Sequence, residues 1–132
     1  MGQGSIIGYE INEKTCQISF YNEKDLEPDT LEVDTDNYQI PLIIGKLRDT
    51  WAYGKEAKRL VTIKDGFTAT RLLSKSLAGD KIEFGEETYD AVWLLSQFIQ
   101  MSLQSFPEID GIVFTVPSLS EEMAQMLRGI AV

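Results

Sequence analysis

The side chains best suited to chemistry in this sequence are carboxylates, and their spacing restricts what they can do. Glu23, Asp25, Glu27, Asp29, Glu32, Asp34 and Asp36 crowd residues 21–38 against a single lysine, Lys24. Asp34 and Asp36 have the alternate spacing of calcium-loop ligands. The rest of that loop is missing: no glycine follows at the sharp-turn position, and Gly45 stands where a bidentate glutamate should close the shell. The stretch therefore reads as a self-repelling, solvated loop with a brief strand at residues 31–33, and no metal site is expected. With no histidine and one cysteine, Cys16, zinc sites and serine–histidine or cysteine–histidine nucleophile systems are excluded, so no catalytic residue is assigned.

Composition narrows the partners. At 132 residues and 43% hydrophobic, the chain is long enough to hold one core, and a single domain over residues 1–132 is expected. A net charge of −9 argues against nucleic acid and anionic lipid, whose binding surfaces need clustered lysine and arginine. Residues 91–106 are apolar-rich but interrupted by Ser96, Gln97, Gln100, Ser102 and Gln104, so they fall short of a membrane span. The amino terminus has no basic-then-apolar leader, and Ile6 stands where acylation needs Ser or Thr. A lone cysteine suits a reducing compartment, and a cytoplasmic location is expected.

The elements that must position any site follow from periodicity. In residues 6–20, Ile6, Ile7 and Tyr9 face Cys16, Ile18 and Phe20 across Asn12, Glu13 and Lys14, which predicts a β-hairpin. Residues 38–44 form a β-rich run whose Pro41 cannot donate to a ladder, so an edge strand or a bulge is expected. Gly45 and Lys46 are expected to turn the chain, residues 50–53 to be extended, and residues 55–60 to form a short helix. Loops with one short helix near residues 69–76 are expected from 61 to 85. Residues 86–106 give the clearest helix, with Thr88 or a neighbour near its start and Pro107 beyond its end. Its stripe is Val92, Leu95, Ile99, Leu103 and Phe106, widened by Ala91, Leu94, Phe98 and Met101, and its aromatics Tyr89, Trp93 and Phe98 are assigned to core packing. Residues 112–116 read as a strand buried on both faces and ended by Pro117. Ser118 or Ser120 caps a last helix over 121–130, with Met123, Leu127 and Ile130 inward. The sum is an α/β fold: a mixed sheet of antiparallel hairpin strands, then a parallel strand reached by a helical crossover, with flanking helices.

In that order, Ile7-Gly8-Tyr9-Glu10-Ile11, Tyr38-Gln39-Ile40-Pro41-Leu42-Ile43-Ile44, Tyr53-Gly54-Lys55-Glu56-Ala57-Lys58 and Gly111-Ile112-Val113-Phe114-Thr115-Val116-Pro117 resemble a known family. It is the first part of the nucleotide-binding domain of seventy-kilodalton heat-shock chaperones of the DnaK type, within the actin-like ATPase superfamily. The resemblance implies a ribonuclease-H-like lobe, here incomplete. The family's second phosphate loop and adenosine-contacting segment would lie beyond Val132. Its last strand would also be missing, leaving residues 112–116 as an exposed edge that invites self-association.

The same resemblance assigns phosphate-loop positions. Glu10 takes the place of the family's aspartate, Asn12 of its glycine, Glu13 and Lys14 of its hydroxyl pair, and Thr15 follows in the same loop. Thr70 takes the place of its catalytic lysine, with Lys64 or Lys75 available under another register. Glycine lets amides approach a phosphate, whereas Asn12 adds a side chain. A Glu13 carboxylate about 4 Å from a phosphate charge would be repelled by roughly 1 kcal/mol in water and about 4 kcal/mol at an effective dielectric of 20. Three functions follow. One is a DnaK-like chaperone lobe with a degenerate phosphate loop, serving protein partners or clients. Another is a true ATPase that holds ATP and magnesium with a second lobe. The last is an acidic interaction module unrelated to nucleotides.

Overall fold

Alternation decides the first hairpin. The computed structural model describes residues 5–22, 25–30, 38–106, 108–117 and 120–131. β1 (Ser5–Ile11) pairs antiparallel with β2 (Thr15–Asn22), with Tyr9 opposite Ile18 and Ile11 opposite Cys16. Ile7, Tyr9, Ile11, Cys16 and Ile18 are buried on one face, whereas Ile6, one residue out of phase, is 48% exposed on the other. The far edge of β2 is shared in turn by β3 (Asp25–Thr30) and β4 (Gln39–Pro41), both antiparallel to it. Pro41 thus stands at an edge, as its missing N–H requires.

The chain next builds a small second sheet. β5 (Ile44–Leu47) turns at Arg48 and Asp49 into β6 (Thr50–Tyr53); α1 (Lys55–Arg59) and a 3-10 turn (Leu60–Thr62) lead to β7 (Gly66–Ala69). The sheet order is β6-β5-β7. α2 (Leu72–Leu77) precedes the hairpin of β8 (Lys81–Phe84) and β9 (Glu87–Asp90), which runs directly into α3 (Ala91–Ser102). β10 (Ile109–Thr115) returns to lie parallel to β1, and α4 (Glu121–Ala131) follows. The main sheet therefore has the order β10-β1-β2-β3, with β4 also on β2.

One buried cluster joins these parts: Leu72 and Leu73 of α2, Leu94, Leu95, Phe98 and Ile99 of α3, and Met123 and Leu127 of α4 pack against Ile7, Tyr9 and Ile11. The helices contribute to the face of the main sheet that carries Tyr9. Burying each large side chain is worth roughly 1.5–3 kcal/mol, so α3 contributes most of any helix. Within this core runs a directed chain of hydrogen bonds. The Ser102 hydroxyl donates to the Ile99 carbonyl at 2.8 Å, leaving its oxygen to accept from Tyr9 at 2.6 Å. The Cys16 thiol donates to the Tyr9 oxygen at 3.6 Å. Every polar atom in the set has a partner, which is what makes its burial tolerable.

Several expectations are corrected. Gly45 and Lys46 do not turn the chain; they sit within β5, and the turn comes at Arg48, whose φ is 57°. Glycine is required at 45 for another reason: a Cβ there would stand 2.9 Å from the Phe67 backbone carbonyl of β7 and 2.9 Å from Leu60 Cδ1, so its absence lets both lie close on the strand. Residues 61–85 hold strands β7 and β8 besides the short helix. The long helix does not begin at Glu86, because residues 87–90 are strand β9. Gly85, at φ +67°, makes the β8–β9 turn, and Tyr89 is held in an aromatic group that outweighs helical propensity. In place of a Thr88 cap, the Ala91 amide is held by the Asp80 carbonyl at 2.9 Å. Val92 and Trp93 are exposed rather than inward, at 39% and 41%. β10 is not covered on both faces: Val113 is 61% exposed. At the last helix Ser120 caps, accepting from the Met123 amide at 3.1 Å. The predicted strand at 31–33, the Asp34 and Asp36 pair, Pro107 and the alternative cap Ser118 lie outside the described residues.

Two outcomes follow from the buried hydroxyl chain. Tyr9→Phe leaves the Cys16 and Ser102 groups short of a partner and should cost about 1–3 kcal/mol in urea unfolding. Burial pushes the Cys16 thiol up to about 12, opposed by the bond to Tyr9, and pushes the Tyr9 hydroxyl well above its ordinary value. Both groups hold their protons more tightly when folded. Their contribution is complete below the unfolded thiol's value near 9 and is lost as pH rises from there toward 12. Stability should fall by up to roughly 1.4 kcal/mol per pH unit for each group that ionises only on unfolding. Unfolding measured across that window should show a shallower slope for Cys16→Ala.

Candidate functional site

The parallel pair β1 and β10 ends with Glu10 opposite Thr115. Beyond this register the two chains part, one into the β1–β2 turn and the other into Pro117. An open groove of about 270 Å³ lies between them, lined by Glu10, Ile11, Asn12, Thr115, Val116 and Pro117. Its polar equipment is one carboxylate, one carboxamide and one hydroxyl, with no cation among the lining residues.

The turn beside the groove is closed on itself. Asn12 Oδ1 accepts the backbone amides of Lys14 at 2.8 Å and Thr15 at 2.9 Å, while its Nδ2 donates to Thr15 Oγ1 at 3.3 Å. The Asn12 amide in turn donates to the Thr15 carbonyl at 2.9 Å. A side-chain oxygen binding amides two and three residues ahead is the habit that favours Asn in turns. Here it occupies the donors that a phosphate would need.

Glu13 is held too. Its Oε1 accepts the Ser74 amide at 2.9 Å and its Oε2 the Ser74 hydroxyl at 2.5 Å. Ser74 lies in the first turn of α2, where amides lack helical partners, so the carboxylate supplies what the helix start lacks. Arg71, at φ 54°, precedes that helix and has no side-chain capping bond.

The five predicted phosphate-loop positions thus divide. Glu10 and Asn12 line the groove. Glu13 points to Ser74, Lys14 is exposed and is not among the lining residues, and Thr15 bonds with Asn12. Thr70 leads into α2 four residues before Ser74, and neither Lys64 nor Lys75 lines the groove. Ser74 and the segment 115–117 were missed as site residues. The Thr115-Val116-Pro117 signature together with a parallel pairing to β1 was the signal for the second; nothing local marked Ser74 as the partner of a residue 61 positions away. Among the described residues, no three His, Cys, Asp or Glu side chains gather to hold a metal. No helix among them is long and apolar enough to cross a membrane.

A second polar group stands apart, on the small sheet. Lys46 Nζ lies 3.1 Å from the Tyr89 hydroxyl and 3.3 Å from both Glu87 oxygens, and 5.2 Å from the Trp51 ring centroid. The Tyr89 hydroxyl also donates to Glu87. Hydrogen bonding to Tyr89, then the interaction with Glu87, raises the Lys46 ammonium above its ordinary value; the Tyr89 bond, then Lys46, lowers the Glu87 carboxyl. Trp51, Phe84, Tyr89 and Trp93 pack around it with centroid separations of 5.2–6.1 Å. This group ties β5, β6, β9 and α3 together, and the Lys46, Glu87 and Tyr89 polar atoms engage one another.

Asn12→Gly should release the two tip amides. Hydrogen exchange at Lys14 and Thr15 should accelerate, with about 1 kcal/mol lost from unfolding stability. Glu13→Ala should expose the Ser74 amide to exchange and cost roughly 0.5–1.5 kcal/mol, leaving Thr15 protected.

Residues 27–132 match the model of a family described as a family of unknown function (DUF5716), C-terminal. The match begins within β3 and takes in Ser74 and residues 115–117, while Glu10 through Thr15 lie ahead of it. No curated protein matches the chain. Since the family model covers well over half of the sequence, the chain belongs to the DUF5716 C-terminal family.

Proposed function

We propose that this chain is a ribonuclease-H-like lobe of actin-like ATPase descent, resembling DnaK-type chaperones, whose phosphate loop has been closed by its own side chains. It serves as a cytoplasmic unit of protein interaction. The strand order supports the descent: three successive antiparallel strands, β1, β2 and β3, with a later strand joined parallel to β1 on its other side. The groove also lies outside the carboxyl ends of a parallel pair, where open α/β sheets bind ligands.

The observation that carries the loss of nucleotide chemistry is the Asn12 carboxamide. It accepts the Lys14 and Thr15 amides, so a phosphate arriving at those two would have to displace two formed bonds. Glu10 then meets it with like charge, and the groove's lining supplies no cation in compensation. Phosphate-binding loops work the other way, offering free amides and a positive group.

Calorimetric titration with magnesium-ATP tests this. The chain should give no saturable heat into the millimolar range. The double variant Asn12→Gly, Glu13→Thr should gain measurable binding, because it frees two amides and removes a carboxylate. Micromolar binding by the unaltered chain would instead establish the ATPase reading, with Glu10 ordering magnesium-bound water and Lys14 contacting phosphate.

A further inference from the structure

We infer that the outer side of Trp93 is a docking point for an arginine carried on a basic segment of a partner protein, the indole stacking on the guanidinium and the Asp90 carboxylate pairing with it. The inference gives the protein-interaction reading above a surface and a partner chemistry, and rests on that reading.

The ring comes first. Trp93 stands in the first turn of α3 and is 41% exposed, and Val92 beside it is 39% exposed. Large apolar side chains exposed side by side are informative where a single one is not. Tyr89 stacks on the Trp93 ring at 5.2 Å and 15°, and Trp51 meets it at 5.6 Å and 62°. Those two contacts fix the indole before any ligand arrives, so stacking on the surface they leave does not have to order it. Tryptophan is among the side chains most enriched where a few residues carry the energy of an interface.

The carboxylate beside the ring is uncommitted. Asp90 is the N-cap of α3, a position from which aspartate ordinarily accepts an amide of the first turn. Here it makes no side-chain capping bond, and the Ala91 amide is held by the Asp80 carbonyl instead. Lys81 lies opposite Asp90 across the β8–β9 ladder, yet no ion pair joins them. Asp90 is exposed and precedes Trp93 by three residues, the spacing at which side chains on a helix are neighbours.

Charge and precedent identify the occupant. Asp80, Glu83, Glu86, Glu87 and Asp90 are exposed within residues 80–90 against Lys81. Lys46, on the inner side of the same aromatic group, is engaged by Glu87 and Tyr89. It also displays the chemistry, since its ammonium lies 5.2 Å from the Trp51 centroid and 5.7 Å from that of Tyr89, beside a carboxylate. Trp93 and Asp90 repeat that ring and that carboxylate on the outer side. Arginine suits them better than lysine, because a planar guanidinium can lie on a ring face while its edge donates two hydrogen bonds to a carboxylate. A second copy of the chain brings −9 against −9. The surface is on the small-sheet side of α3, so a strand continuing the main sheet beyond β10 leaves it as it is.

Fluorescence anisotropy with a labelled synthetic peptide, Ser-Arg-Val-Gly-Arg-Val-Ser, tests the inference against counterparts with lysine or glutamate in place of both arginines. The arginine peptide should bind the full chain in a salt-dependent manner, the lysine peptide about threefold more weakly, and the glutamate peptide not at all. Trp93→Ala should weaken the arginine peptide about tenfold, with part of the loss recovered in Trp93→Phe, and Asp90→Asn should weaken it about threefold; circular dichroism and melting should be unchanged in each. In a Trp51→Phe variant, whose emission comes from Trp93 alone, the arginine peptide should shift that emission. Equal binding of the arginine and glutamate peptides, or indifference to Trp93→Ala, overturns the inference, as does a dimer in sedimentation that Trp93→Ala dissolves. Failure of all three peptides overturns this surface and leaves the closed loop standing, which the magnesium-ATP titration tests separately.

Discussion

The Tyr9 hydroxyl is fully buried beneath α3, and the arrangement of the molecule depends on Ser102 being there to accept its proton. An unsatisfied phenol at that depth would cost about as much as a small domain can lose without unfolding. Because Ser102 stands at the last turn of α3 while Tyr9 stands in the middle of β1, one bond sets the height of the helix along the strand. With that height set, Phe98 of α3 meets Tyr53 edge-on, and Phe106, in the segment that follows the helix, meets Phe20 of β2. The bond therefore confers position as well as stability.

The turn at Asn12 satisfies its own backbone amides from within the chain. Close amides at the end of a parallel pair are an electropositive feature awaiting an anion. In this chain the anion's place among those amides is taken by a carboxamide oxygen, and the neighbouring Glu13 carboxylate is directed to the start of α2. Both contacts tie the hairpin tip to neighbouring backbone within the chain. Beside it lies a groove whose single charge, that of Glu10, is negative.

Much of this arrangement was legible in the sequence where periodicity and local chemistry agree. The alternation of Ile7, Tyr9 and Ile11 and the β-branched run at 112–116 gave the hairpin and the returning strand, and Ser120 marked the last cap. Reading failed where distant packing overrode local preference. Glycine is ordinarily a turn residue, and nothing near Gly45 reveals that Leu60 will lie on it. Residues 87–90 have helix-compatible composition, but Tyr89 is drawn into a strand by rings at 51, 84 and 93. The β-branched run suggested cover on both faces because residue type reports burial only on average; Val113 is the exception. Of the residues that line the groove, Glu10 and Asn12 were singled out in the sequence and residues 115–117 were not, and the Glu13–Ser74 contact joins segments that only folding brings together.

The clustering of Trp51 and Trp93, whose rings lie 5.6 Å apart, has a spectroscopic consequence. These are the only tryptophans in the chain, and both sit on the small-sheet side against Tyr89, away from the residues that line the groove. Intrinsic emission accordingly reports one neighbourhood. It registers separation of α3 from the β5–β6 hairpin and stays silent to whatever occupies the end of β10, so an optical probe for that end has to be brought in from outside.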